Sequence, residues 1–237
     1  MFKSISIIYP VFNEEKRLGK VFSDIKKFER ITNYIDKEYI FVDDGSLDNS
    51  LSLIKKKVKE NKKFKFITYK KNMGKGYALK RGVKIANKKW VLTSDADCSV
   101  SNLQLINWRK KKFITKEHDI YFGSRNHLLS KVKKKIERKI LGIIFKLIIN
   151  FFFNIKISDT QCGFKLYNSK IAKKLFRKIQ TNGYLHDIEI CLIARKLNIR
   201  IIDLPLNWKH RNYGKINFFN DFFKIFFHLI KIRLSKY

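Results

Sequence analysis

Apolar and polar residues alternate over Ser4-Ile5-Ser6-Ile7-Ile8-Tyr9, which predicts a strand. Residues 14–28 read as a helix that begins after Asn13, a residue type that caps helix N-termini. The rhythm then repeats, with strands at 39–42, 65–69, 90–93 and 119–123 and helices at 49–59 and 76–86. Strand–helix alternation of this kind predicts an α/β fold, a mostly parallel sheet with helices on both faces. Function is then expected at the carboxyl ends of the strands.

The second half changes character. A basic stretch, 131–139, leads into the apolar run 140–153, with Val132, Ile136, Ile140, Ile143, Ile144 and Leu147 at helical spacing. A polar loop at 158–165, a helix at 183–198 and a strand at 199–204 follow. In residues 216–234, Asn217, Asn220, Asp221, Lys224, His228 and Lys231 recur every three or four positions, predicting an amphipathic helix with a wide apolar face. The expected organisation is one domain over 1–215 followed by this helix at 216–237.

Composition sharpens the picture. With 237 residues, 45% of them hydrophobic and 21 of them Phe, the chain can bury a sizeable core. Against 53 Lys and Arg stand 20 Asp and Glu, a formal charge of +33 that calls for an anionic partner: nucleic acid, an anionic membrane surface or a phosphorylated substrate. Lys outnumbers Arg 42 to 11 in a chain also rich in Ile, Asn and Phe, so scattered Lys reads mainly as compositional drift. The 3 Cys lack paired spacing and suggest a reducing compartment. No secretory signal and no uninterrupted apolar run of membrane-spanning length is read, so the expected location is the cytosolic face of a membrane, peripheral or interfacial.

Five polar clusters fall at five strand ends, which describes one site. The sharpest is Asp95-Ala96-Asp97 after Trp90-Val91-Leu92-Thr93. Residues two apart at a strand end point the same way, so both carboxylates reach one cation. Oxygen ligands with no His or Cys nearby suit Mg2+ or Mn2+ completed by phosphate oxygens and water. Asp43 and Asp44 form a second acidic pair, able to accept from a uracil imide N–H or from ribose hydroxyls. Asn72, Gly74, Lys75 and Gly76 offer close backbone approach and a cation for a phosphate or the sugar. The histidines show neither metal-ligand spacing nor a triad partner.

Taken in order, residues 9–15 (Tyr-Pro-Val-Phe-Asn-Glu-Glu), 42–46 (Val-Asp-Asp-Gly-Ser), 72–76 (Asn-Met-Gly-Lys-Gly) and Asp95-Ala96-Asp97 resemble family-2 glycosyltransferases of the GT-A fold. Residues 159–165 (Asp-Thr-Gln-Cys-Gly-Phe-Lys) and 186–190 (His-Asp-Ile-Glu-Ile) resemble the branch that includes dolichyl-phosphate β-glucosyltransferases and other polyprenyl-phosphate glycosyltransferases. The resemblance implies inverting transfer of a hexose, glucose from UDP-glucose before mannose, from a nucleotide sugar to dolichyl or polyprenyl phosphate at a membrane. It implies a donor site of Pro10, Phe12, Glu14, Asp43, Asp44, Lys75, Gly76 and Asp95, with the metal on Asp95 and Asp97. Asp159, with Asp97, is the expected catalytic residue, as a base or as an orienting carboxylate. Arg125, Arg211 and Lys215 are the expected acceptor-phosphate cations, and Arg138 joins them by its position on the basic stretch. Asp187 and Glu189 either support that cationic loop or serve as first-turn helix acids. The alternative keeps the fold and donor site but transfers mannose, or uses a glycan or protein hydroxyl as acceptor. A basic nucleic-acid-binding module is remote, because the acidic pairs would repel a phosphate backbone.

Overall fold

The computed structural model describes residues 3–115, 119–133, 147–209 and 218–235. It opens with β1 (Ser4–Val11), beside the middle strand of the sheet and buried from Ile5 to Tyr9 because both faces are covered. Around it lie α1 (Glu15–Ile31), β2 (Asp36–Asp43), α2 (Ser50–Glu60), β3 (Phe64–Thr68), α3 (Lys75–Ile85), β4 (Trp90–Thr93), α4 (Leu103–Lys110) and β5 (Ile120–Ser124). The chain continues through β6 (Lys131–Lys133), helical residues 147–153 (α5), β7 (Lys165–Asn168), α6 (Ser169–Lys178) and α7 (His186–Lys196). It closes with β8 (Ile201–Pro205), β9 (Asn207–Lys209) and α8 (Phe218–Leu234).

Seven strands form one sheet in the order β3-β2-β1-β4-β7-β5-β8, and β6 pairs with β9 in a second, two-stranded sheet. The large sheet is parallel except for β7, which runs antiparallel to both β4 and β5. Strand alternation divides the core. Ile8, Ile40 and Val42 pack with residues of α3, α6, α7 and α8, while Ile7, Tyr9 and Phe41 pack with those of α1, α2 and α4. The α/β expectation therefore holds, with one reversed strand.

Four local readings are corrected. Asn13 does not cap α1: it sits at φ 51 with its Oδ1 accepting from Leu47 N, and Glu14 occupies the cap. Residues 131–133 are a strand rather than the start of a helix, because β9 supplies a pairing edge that local spacing does not reveal. Lys165 belongs to β7 rather than to the polar loop, and Asn168 ends that strand by capping α6 through its side chain. The helix read at 183–198 is shorter, beginning at His186.

Both apolar helices of the second half are half-docked. Ile149 and Phe153 of α5, with Ile225, Leu229 and Ile232 of α8, are buried in the same core cluster. Their other sides expose Leu147, Phe151, Phe227 and Leu234. Ring contacts run from Phe151 through Phe152 and Phe226 to Phe227, joining the two helices at the surface. Among the described residues no helix is long and apolar enough to cross a membrane.

Candidate active site

The C-terminal ends of β1 to β5 and the N-terminal end of β7 meet at one sheet edge, as the pairings of Lys165 with Thr93 and with Phe122 require. At that edge the loops after β1 and β2 are laced together. Asn13 N donates to Ser46 Oγ at 3.0 Å, Glu14 N to Ser50 Oγ at 2.7 Å and Glu15 N to Asp48 Oδ2 at 3.1 Å. The lacing fixes the segment after Pro10, with Phe12 and Glu14 half-buried and the Glu14 carboxylate 2.6 Å from Arg17 Nε.

Asp43 and Asp44 are both buried, and both already hold the site together. Asp43 Oδ2 accepts from Thr68 Oγ1 at 2.8 Å. Asp44 accepts from Met73 N at 2.8 Å and from Gly74 N at 2.9 Å, one bond to each carboxylate oxygen. The acid therefore sets the 72–76 loop. Gly74 needs to be glycine twice over: its φ is +100, and a Cβ would lie 2.7 Å from Asn182 O. Gly76 is equally close to the 181–183 backbone, and Tyr77 N donates to Asn182 O at 3.0 Å. Glu189 shapes that backbone in turn, accepting from Gln180 N and Thr181 N at 3.1 and 2.8 Å. Lys75 thus opens α3 from a rigid seat, at the helix end that favours anions.

Lys75 Nζ lies 2.6 Å from Asp95 Oδ1. Burial opposes its charge, but Asp95, Asp187 and Asp97 outweigh burial and hold the ammonium above its ordinary pKa. Asp95 and Asp97 line one cavity, together with Arg125, Gln161, Cys162 and Trp208. They converge through a turn beyond β4, with Cys98 at φ 54, rather than through strand alternation as the spacing suggested. Asp97 accepts from Ser99 N at 2.8 Å and from Ser99 Oγ at 2.7 Å. Gly163 packs so closely on Asp95 that a Cβ there would run into the carboxylate.

The donor set fits a hard divalent cation. Two carboxylates face the cavity, and burial with the Asp159 charge pushes the Cys162 thiol up to about 12, so no thiolate competes. Among the described residues no group of three or more His, Cys, Asp or Glu is placed to hold a metal, so a cation on this pair would need phosphate oxygens and water as its other ligands.

Arg125 faces the same cavity and is gripped from behind by Asp159. Its Nε and Nη2 donate to the two carboxylate oxygens at 2.6 and 2.7 Å, and its backbone N adds a third bond at 2.9 Å. Burial would raise the Asp159 pKa, but the Arg125 charge and its hydrogen bonds hold it below the usual carboxylate range. Behind this pair Lys165 is fully buried, with Nζ 2.7 Å from Thr160 O and 2.5 Å from Asp187 Oδ1. His186 Nε2 lies 3.0 Å from the same Asp187 oxygen.

The structure therefore brings Asp43, Asp44, Lys75, Gly76, Asp95, Asp97, Arg125 and Asp159 to one edge. Arg138, Arg211 and Lys215 lie outside the described residues. Asp187 and Glu189 are first-turn acids of α7, and both are buried: Asp187 pairs with Lys165, and Glu189 holds the 180–181 backbone. Sequence reasoning missed Gln161 and Trp208 in the cavity wall and Lys165 beneath it. Trp208 arrives on β9, where Lys209 N donates to Ser99 O at 3.0 Å, a long-range tie with no local signal.

The sequence profile described as Glycosyl transferase family 2 matches residues 6–176. The dolichyl-phosphate beta-glucosyltransferase of Dictyostelium discoideum is 29% identical over 240 residues, covering 97% of this chain and 73% of that protein. The Homo sapiens protein of the same description is 29% identical over 250 residues, covering 98% of this chain and 75% of its own length. Among solved structures, glucosyl-3-phosphoglycerate synthase from Mycobacterium tuberculosis, in complex with Mn2+, UDP-glucose and phosphoglyceric acid, has a TM-score of 0.69 at 17% identity, across 98% of this chain and 79% of that one. That likeness shows the fold, which is the GT-A arrangement. The matched segment runs from β1 into α6 and contains Lys75, the Asp95–Asp97 pair, Arg125 and Asp159; the chain belongs to glycosyl transferase family 2.

Proposed function

We propose that this chain transfers glucose, with inversion, from UDP-glucose to a dolichyl or other polyprenyl phosphate at a membrane surface. The observation that carries the reading is the placement of Arg125, braced by Asp159, in the same cavity as Asp95 and Asp97. The relatives described as dolichyl-phosphate beta-glucosyltransferases, which this chain matches over nearly its whole length, support the same donor sugar and acceptor.

The residues divide the work as follows. The 72–76 loop and the Asp43–Asp44 end of β2 receive the nucleotide, with Pro10, Phe12 and Glu14 beside them. Asp95 and Asp97 hold Mg2+ or Mn2+, which when bound neutralises the departing diphosphate. Arg125 meets the acceptor phosphate, and Asp159 keeps its planar fork aimed. An acceptor phosphate oxygen bonds to the anomeric carbon as the bond from that carbon to the diphosphate oxygen breaks, its electron pair leaving on the diphosphate. A phosphate monoester, with a second pKa near ~6, is largely dianionic at neutral pH, so no proton has to be removed from it.

This also favours phosphate over a hydroxyl acceptor. A hydroxyl requires a general base, and Asp159, paired through both oxygens and held ionised, is a weak one. The expected place of action is the cytosolic face, with the exposed rings of α5 and α8 in the interface and the excess of Lys attracted to anionic lipid.

The test is a substrate screen with purified protein, Mn2+ or Mg2+, labelled nucleotide sugars, a polyprenyl phosphate and a polyprenol of equal length. Transfer from UDP-glucose to the phosphate alone supports the reading. Transfer to the free alcohol or to a glycan hydroxyl would overturn it.

A further inference from the structure

The turn after β5 ends in two leucines that no described residue covers. Leu128 is 99% exposed and Leu129 63%. Single exposed leucines are ordinary. These two are adjacent, and the turn that carries them is braced throughout. Asn126 Nδ2 donates to Ser158 O at 2.7 Å, Leu129 N to His127 Nδ1 at 3.1 Å and Ser130 N to His127 O at 2.9 Å. Ser130 Oγ donates to Ser124 O at 2.5 Å and accepts from Leu206 N at 3.0 Å. The tip is thus held out in water by a fixed scaffold.

The same turn begins with Arg125, whose guanidinium reaches the cavity. Three residues span at most roughly 10 Å, so the backbone of the apolar tip lies within that distance of the Arg125 backbone. A held cation followed three residues later by an apolar pair on a braced turn is the complement of an anion joined to a hydrocarbon chain. We propose that Leu128 and Leu129 form a ledge for the first isoprenoid units of the acceptor, engaged when its phosphate meets Arg125. This rests on the polyprenyl-phosphate acceptor proposed above.

The experiment uses prenyl phosphates of one to four isoprene units, free in solution without vesicles or detergent, as acceptors for the whole chain. Wild-type acceptor KM should fall as units are added. In the variant carrying Leu128→Ser and Leu129→Ser that dependence should flatten, raising KM for the longest acceptor roughly tenfold or more. The variant carrying Leu128→Met and Leu129→Met should keep the wild-type slope, and thermal melts of all three proteins establish that they are folded. A Ser variant with the wild-type slope overturns the ledge, and if it also loses binding to lipid vesicles the tip serves the bilayer instead. A wild-type protein that glucosylates polyprenyl phosphate only in vesicles, with no dependence on units in solution, overturns the ledge but keeps the acceptor. If no prenyl phosphate is glucosylated in either setting, the acceptor reading fails and the ledge with it.

Discussion

The Lys165 ammonium lies 2.5 Å from the Asp187 carboxylate, and neither side chain is open to water. The two residues come from the two segments that resemble the polyprenyl-phosphate branch, so their pairing ties those segments into one unit beneath the cavity. Lys165→Met alone should cost up to about 3–5 kcal/mol of stability, since it leaves the buried Asp187 carboxylate with His186 and without its ammonium partner. Lys165→Met combined with Asp187→Leu should recover much of that, because both charges leave together. Activity should not recover, since the Thr160 carbonyl beside Asp159 still loses its ammonium. Urea melts and kcat for both variants check this; recovery of both quantities would make the pair a stability element only.

Acid sensitivity follows from the same groups. Burial pushes Asp187 up, yet His186 and Lys165 outweigh it and hold its pKa low; Arg125 does the same for Asp159. A depressed native pKa contributes stability that is fully present above the unfolded value of about 3.9 and is lost as pH falls through the native value. The urea midpoint gap between wild type and Asp187→Asn should therefore shrink below about pH 4 relative to its value at about pH 5. A gap that widens toward acid would reverse the sign.

Asp159→Asn should lower kcat roughly 100-fold, the scale of one lost electrostatic contact, and should leave donor KM little changed. Asp159 touches Arg125 rather than the 72–76 loop, so its loss disturbs the acceptor side. Arg125→Lys should not restore the lost geometry, because an ammonium cannot make the two-pronged contact. Steady-state kinetics in both substrates decide; a loss confined to donor KM would invalidate this division of the site.

Two substitutions address the metal. Asp97→Asn should depress transfer at least about 100-fold with the melting temperature close to wild type. Gly163→Ala should raise the Mn2+ concentration needed for binding, because its methyl displaces the Asp95 carboxylate. Titrations of Mn2+ followed by paramagnetic resonance, with UDP present, read affinity without turnover. Unchanged affinity in both variants would place the metal elsewhere.

Replacing Phe151, Phe226 and Phe227 by Ser should weaken sedimentation with anionic vesicles, with little effect on folding, since Phe151 and Phe227 are largely exposed. Binding should also weaken with salt. Equal partitioning to neutral and anionic vesicles, unaffected by salt or by the substitutions, would remove the interfacial role.

Much of this was legible in the chain, for physical reasons that also explain the gaps. β1 announces itself by alternation, and β2 and β4 by the short apolar runs a buried parallel strand needs, with polar residues collecting at their ends. β7 does not: four residues, with a buried Lys at the first, carry no period, and only its neighbours β4 and β5 make it a strand. Asp95 and Asp97 were identifiable as a pair, but the turn that aims them was not. Lys165 reads locally as one more of many lysines; its burial depends on Asp187 and on the face of Phe122, 4.4 Å from its ammonium.

The reversed strand has a consequence for how the enzyme comes to exist in the cell. In the sheet order, β7 is the bridge between β4 and β5, so the first five strands cannot close into one sheet until the chain has passed residue 168. A nascent or truncated chain ending earlier carries the nucleotide-side loops on one strand group and Arg125 on another, with no backbone ladder between them. Late, long-range pairing of this kind slows folding and leaves strand edges open. During synthesis, then, the site cannot be assembled before β7 is made, since that strand aligns the two groups; the loop just before it carries Asp159 to Arg125.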